Sequence, residues 1–135
     1  MTKRVENAMK EFRALVVDDF EVIRRFHIRN LRKSGVNEID EASNGKEAVS
    51  MAAKCTYDII ILDWYMPELN GYEAVRILRS SGFSNPILLC TDETDSDKIA
   101  SAKRDGVSSV FKKPYNPTQF RSAIKQLLRM DEQSN

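Results

Sequence analysis

Five short runs, four of them strongly apolar, each followed by a longer amphipathic stretch, constrain this chain more than any other feature. The runs are 12–17, 36–42, 57–62, 86–90 and 107–111. The stretches between and after them are 20–34, 45–54, 71–81, 95–105 and 117–130. Several runs are continuously apolar, as in YDIIIL, and suit parallel strands covered on both faces. The second run carries Glu38, Asp40 and Glu41, which suits an edge strand. Asn44 and Thr94 are expected as N-caps, with Asp97 as capping partner of Thr94. Gly35, Gly82 and Gly106 follow helical stretches, where a left-handed residue stops a helix. Strict strand–helix alternation predicts a doubly wound α/β domain with right-handed crossovers.

The totals agree with one domain. The 135 residues allow a single substantial core, and 41% hydrophobic with 30% charged residues is ordinary globular composition. Residues 1–11 are expected to form a polar arm, frayed or briefly helical; 12–130 the domain; and 131–135 a disordered tail. Formal net charge is +1, so no global field recruits nucleic acid or a membrane surface. Charge is uneven: residues 1–35 are rich in Lys and Arg, whereas 36–70 are mostly acidic. That asymmetry points to a local docking surface. No apolar stretch reaches the length of a membrane span or a signal segment, and Cys55 and Cys90 lie far apart in unlike settings. Free thiols and a reducing cytoplasm are expected.

In an open α/β sheet, ligands bind beyond the carboxyl ends of the strands. The first run ends in Asp18-Asp19, the third in Asp63, the fourth in Thr91, and the fifth in Lys112-Lys113-Pro114. These groups are expected to converge. Crowded carboxylates raise one another's pKa, and a divalent cation relieves them. Oxygen donors without nearby His or Cys favour a hard ion, Mg²⁺. A carboxylate beside a metal can attack phosphorus and give an aspartyl phosphate. Lys113 supplies a cation and Thr91 a hydroxyl for the transferred group. Singly, these residues would be caps, turn formers or solvated groups; Lys112 is expected to remain solvated.

Four segments in this order, LVVDDF (15–20), ILDWYMPELNGYE (61–73), LLCT (88–91) and FKKPY (111–115), resemble the receiver domain of two-component response regulators, in its single-domain, CheY-like form. The resemblance covers about residues 12–130. It implies a flavodoxin/CheY-like five-stranded sheet of order 2-1-3-4-5 with five helices. It also implies Asp63 as phosphoacceptor, with slow autodephosphorylation. Asp19, Asp63 and the Tyr65 backbone carbonyl would hold Mg²⁺, with Asp18 contributing directly or through water. Thr91 and Lys113 would contact the phosphoryl group, and the Lys113-Pro114 bond would be cis. The implied partners are a sensor histidine kinase or phosphotransfer protein and a downstream target, such as a flagellar motor switch. A monomer is expected, with a dimer through the fourth-to-fifth-helix face as alternative. The switching face would include Lys103, Lys112, Tyr115, Gln119 and Lys125.

Departures from the family pattern keep other readings open. Val110 stands where an aromatic switch residue is common, and Phe111 points to the opposite face. Asp92 replaces a small residue after Thr91, and Tyr65 is bulky where water reaches the acyl phosphate; slow self-hydrolysis is expected. Asn70 replaces Asp before Gly71, a neutral exchange in a turn. A phosphorelay shuttle, a phosphate sink, or a phosphorylation-independent binding module are the alternatives. An aspartate-nucleophile phosphohydrolase would need an acid two residues after Asp63, and Tyr65 does not supply it. His27, the single histidine, reads as an ordinary helix residue, and Trp64 as a rim residue. Arg24, Arg25, Arg29, Arg32 and Lys33 read as a solvated stripe or a docking face for the phosphodonor.

Overall fold

The computed structural model describes residues 11–113 and 115–130. Among these, strands and helices alternate: β1 Arg13–Val17, α1 Glu21–Lys33, β2 Glu38–Ala42, α2 Gly45–Lys54, β3 Ile59–Asp63, α3 Gly71–Ser80, β4 Ile87–Thr91, α4 Ser96–Arg104, β5 Ser109–Lys112 and α5 Pro117–Leu127. All strand pairs are parallel, in the order β2-β1-β3-β4-β5. Residues 1–10 of the expected arm 1–11, the expected tail 131–135, and Pro114 of the expected cis bond lie outside the described residues.

Strand position explains the pattern of each run. Every residue of β3 and β4 is buried, because helices cover both faces. β2 is an edge, and its Glu38 and Glu41 face solvent. Side-chain alternation divides the core in two. On one face Leu15, Val17, Ile60, Leu62, Ile87 and Leu89 pack with Ala48, Val75, Leu78 and Ala102 of α2, α3 and α4. On the other, Ala14, Val16, Ile59, Ile61, Leu88 and Cys90 pack with Ile28, Leu31, Phe120 and Ile124 of α1 and α5. Each such large aliphatic side chain contributes about 1.5–3 kcal/mol on burial. Val110 and Phe111 pack against opposite clusters, as alternation requires.

Helix ends follow local chemistry. Asn44 caps α2 through the Glu47 amide at 2.8 Å. Asn70 and Glu73 form a reciprocal capping box on α3, at 2.9 and 3.0 Å. Asn116 caps α5, with Pro117 at the first helical position. Gly35, Gly82 and Gly106 take φ of +103°, +102° and +119°, as predicted.

Three expectations are corrected, and the place of Tyr115 is made specific. Asp95, not Thr94, caps α4, accepting from the Asp97 and Lys98 amides, because the Glu93 carboxylate already takes the Thr94 and Asp95 amides. Trp64 is buried in the core beside Tyr72 rather than on the rim. Tyr115, named for the switching face, is half-buried and packs among Phe26, Phe111 and Phe120. Arg24 leaves the solvated stripe: it binds the Asp18 carbonyl at 2.8 Å and Glu41 at 2.9 Å.

Candidate functional site

The parallel sheet brings the predicted side chains to one end. Cys90 pairs in register with Asp63, and Thr91 with Lys112, so β3, β4 and β5 end side by side. Asp63 therefore closes a fully buried strand with its carboxylate at the rim, 7% exposed. Lys113 reaches it, Nζ to Oδ1 at 2.7 Å. The Lys113 amide also donates to the Thr91 carbonyl at 2.7 Å, which fixes the lysine's base.

β1 delivers the acid pair. Ligand oxygens of Asp18, Asp19 and Asp63 lie within 4.8 Å of one another. Asp18 is 1% exposed; its Oδ1 accepts the Phe20 amide at 2.9 Å and so starts α1 without a side-chain cap from Phe20. Its Oδ2, and Oδ1 of Asp19, are buried and meet no hydrogen-bond donor among the described residues. Buried carboxylate oxygens without partners are costly, and a hard divalent ion held by these oxygens would satisfy both. The donor set thus fits Mg²⁺, with Asp18, Asp19 and Asp63 as the side chains that would hold it.

Electrostatics agree. Burial pushes the Asp18 carboxyl up to about 6, opposed by the Phe20 amide and reinforced by the Asp63 charge. Burial also raises Asp63; the Lys113 hydrogen bond and charge oppose it, and Asp19 and Asp92 add to it. Burial disfavours the Lys113 ammonium, but its hydrogen bond and ion pair with Asp63 prevail and its pKa rises. A clustered cation would lower the cost of three neighbouring carboxylates.

Thr91 stands beside this cluster, 1% exposed, its hydroxyl accepting from the Glu93 amide at 2.9 Å. The turn Asn70-Gly71 explains how α3 begins so close to Asp63. The Gly71 amide donates to the Trp64 carbonyl at 2.7 Å, and a Cβ at Gly71 would strike the Asp63 carbonyl oxygen and meet Trp64 Cα at 3.0 Å. The Tyr65 hydroxyl donates to the Glu93 carboxylate. Sequence reading did not find this last pair. Its only signal is that Tyr65 and Glu93 each lie two residues beyond a strand-end site residue.

Comparison with known proteins places the arrangement. The family described as "Response regulator receiver domain" matches residues 14–125. The chain is 29% identical over 120 residues to the chemotaxis protein CheY-3 of Vibrio cholerae, covering 87% of this chain and 92% of that one. It is 33% identical over 117 residues to the chemotaxis protein CheY1 of Helicobacter pylori, covering 84% and 94%. The structure of Vibrio cholerae CheY4 superposes with a TM-score of 0.78 at 32% identity, over 87% of this chain and 99% of that one. The Francisella response regulator 1452 receiver domain superposes at 0.82, over 88% and 98%; at 24% identity it speaks for the fold alone. A chain with this sheet order, this acid cluster and these relatives belongs to the response regulator receiver family, in its CheY-like form.

Proposed function

We propose that residues 12–130 act as a phosphorylatable signalling receiver that takes its phosphoryl group on Asp63. The observation that carries this reading is the rim carboxylate of Asp63, held by Lys113 at 2.7 Å within 4.8 Å of the Asp18 and Asp19 oxygens. An Asp63 oxygen attacks the phosphorus of a phosphohistidine. The new P–O bond forms as the P–N bond breaks, and the departing imidazole nitrogen takes the electron pair and a proton. Asp18, Asp19, Asp63 and the Tyr65 carbonyl would hold Mg²⁺, which when bound offsets charge on the phosphoryl oxygens. Lys113 pairs with those oxygens, and Thr91, released from the Glu93 amide, donates its hydroxyl to them.

The phosphodonor is a sensor histidine kinase or a phosphotransfer protein. The output is phosphorylation-dependent binding to a target protein, reached by a population shift between two surface arrangements. The similarity to chemotaxis proteins favours a cytoplasmic role in motility, with a flagellar motor switch as target. A second reading, a phosphorelay shuttle or phosphate sink, draws on Val110, which packs as an aliphatic core residue where an aromatic switch would stand.

Intact-mass measurement after incubation with Mg²⁺ and a small acyl phosphate tests the reading. One added phosphoryl group on wild type, absent without Mg²⁺ and from Asp63→Asn, is expected. An unmodified mass with both small donors and phosphorylated histidine proteins would leave a phosphorylation-independent binding module.

A further inference from the structure

His27 is fully buried, in the middle of α1, and its ring lies nearly parallel to Tyr115, at an interplanar angle of 8° and 6.0 Å between centroids. The Tyr115 hydroxyl sits 3.1 Å from Nδ1 and 3.3 Å from Nε2. Phe26, Phe111 and Phe120 pack around the pair, and Tyr115 itself is half-buried. Burial, with the Lys113 charge adding to it, pushes His27 down to about 4; the neutral ring has one nitrogen that donates and one that accepts, and the tautomer sets which of them meets the phenol. The Cys90 thiol lies beside Tyr115, each influencing the other's ionisation, and Cys90 immediately precedes Thr91.

The position of this bond matters more than its strength. α1 begins at the Asp18-Asp19 loop, where Asp18 receives the Phe20 amide. Tyr115 follows Lys113 by two residues, and two residues span at most about 7 Å. The bond therefore joins the helix that leaves the acid pair to the segment that carries the lysine paired with Asp63. A second polar link, Arg121 to Asn30 at 2.8 Å, joins α1 to α5 itself. A core needing only apolar filling would be served by two phenylalanines here; His and Tyr add direction to the contact.

We propose that His27 and Tyr115 form a positioning pair for phosphoryl acceptance, setting the reach of Lys113 toward Asp63 through one hydrogen bond between a buried imidazole and a half-buried phenol. This rests on the reading of Asp63 as phosphoacceptor. The pair touches neither the phosphoryl group nor the metal ligands; it acts through Lys113.

Tyr115→Phe removes only the hydroxyl, and His27→Phe keeps an aromatic ring in place. Each is expected to slow the maximal rate of Asp63 phosphorylation by acyl phosphate about fivefold, the effect of one net hydrogen bond. Half-saturation by donor and by Mg²⁺ stays within twofold of wild type. The double variant is no slower than either single one, and His27→Gln, which restores an acceptor, recovers most of the rate. In unphosphorylated protein, the Lys113 ammonium NMR signal exchanges faster with water in Tyr115→Phe. Rates within twofold of wild type for both folded variants, or independent additive losses, overturn the proposal. If wild type itself takes no phosphoryl group, the phosphoacceptor reading fails, and the Lys113 signal alone decides: unchanged in Tyr115→Phe, it removes the pair's influence on Lys113; altered, it retains it.

Discussion

Tyr65 and Glu93, each two residues beyond a strand-end site residue, are joined by a hydrogen bond from phenol to carboxylate. The bond raises the Tyr65 pKa and lowers that of Glu93. It ties the Tyr65 ring, which stacks on Trp64, to the segment that follows Thr91, and Lys98 lies 3.7 Å from the same carboxylate. Tyr65→Ala is expected to shorten the lifetime of phosphorylated Asp63 at least about tenfold, a change of about 1.4 kcal/mol in the hydrolysis barrier. Loss of the phosphoryl mass with time, after donor removal, measures it. A wild-type lifetime of seconds would contradict the shielding role.

Asp18 makes metal-free stability depend on pH. Its carboxyl holds a proton more tightly folded, at about 6, than unfolded, near 3.9. Below about pH 4 it is protonated in both states. As pH rises from about 4 to 6, only the unfolded state releases the proton freely, so stability falls by about 1–3 kcal/mol. Urea midpoints of the chelator-treated protein are expected to drop across that window, and Asp18→Asn to flatten the drop. Mg²⁺ at pH 7.5 should restore wild type more than the variant, by binding the folded state.

Gly71→Ala tests the close approach of α3 to β3. Its Cβ meets the backbone of Asp63 and Trp64, which cannot rotate away as a flexible side chain would. A loss of about 2–3 kcal/mol is expected from overpacking, read as a lower denaturation midpoint. Phosphorylation should slow as well, because the displaced atoms belong to the acceptor residue.

Arg79 is a structural counterpart at the other end of α3. Its guanidinium donates to the carbonyls of Phe83, Asn85 and Gly106, at 2.8, 2.7 and 2.7 Å. Arg79→Met keeps much of the stem but strands those acceptors, and about 2–4 kcal/mol should be lost. Phosphorylation of the folded fraction should be unchanged.

The fold was legible because its elements carried their own signals: continuous apolar runs for β3 and β4, acidic residues for β2, and glycines after α1, α3 and α4. The carboxylates, Thr91 and Lys113 were legible because strand ends share one rim in a parallel sheet. What escaped were contacts between segments with no fixed spacing. Thr94 matched a capping pattern, yet Glu93 reached its amide first. Arg24 belonged by spacing to an exposed stripe, yet Asp18 and Glu41 drew it across. His27 and Tyr115 lie 88 residues apart, and only α1–α5 packing brings them together.

The two edges of the sheet carry a further consequence. β2 presents Glu38 and Glu41 to solvent, and β5 is four residues long and ends in exposed Lys112. A second copy adding a strand in register at β2 would oppose like charges, and β5 offers too short a ladder to reward docking. The sheet is thereby guarded against open-ended edge pairing and aggregation, so specific recognition falls to the helices and loops around it.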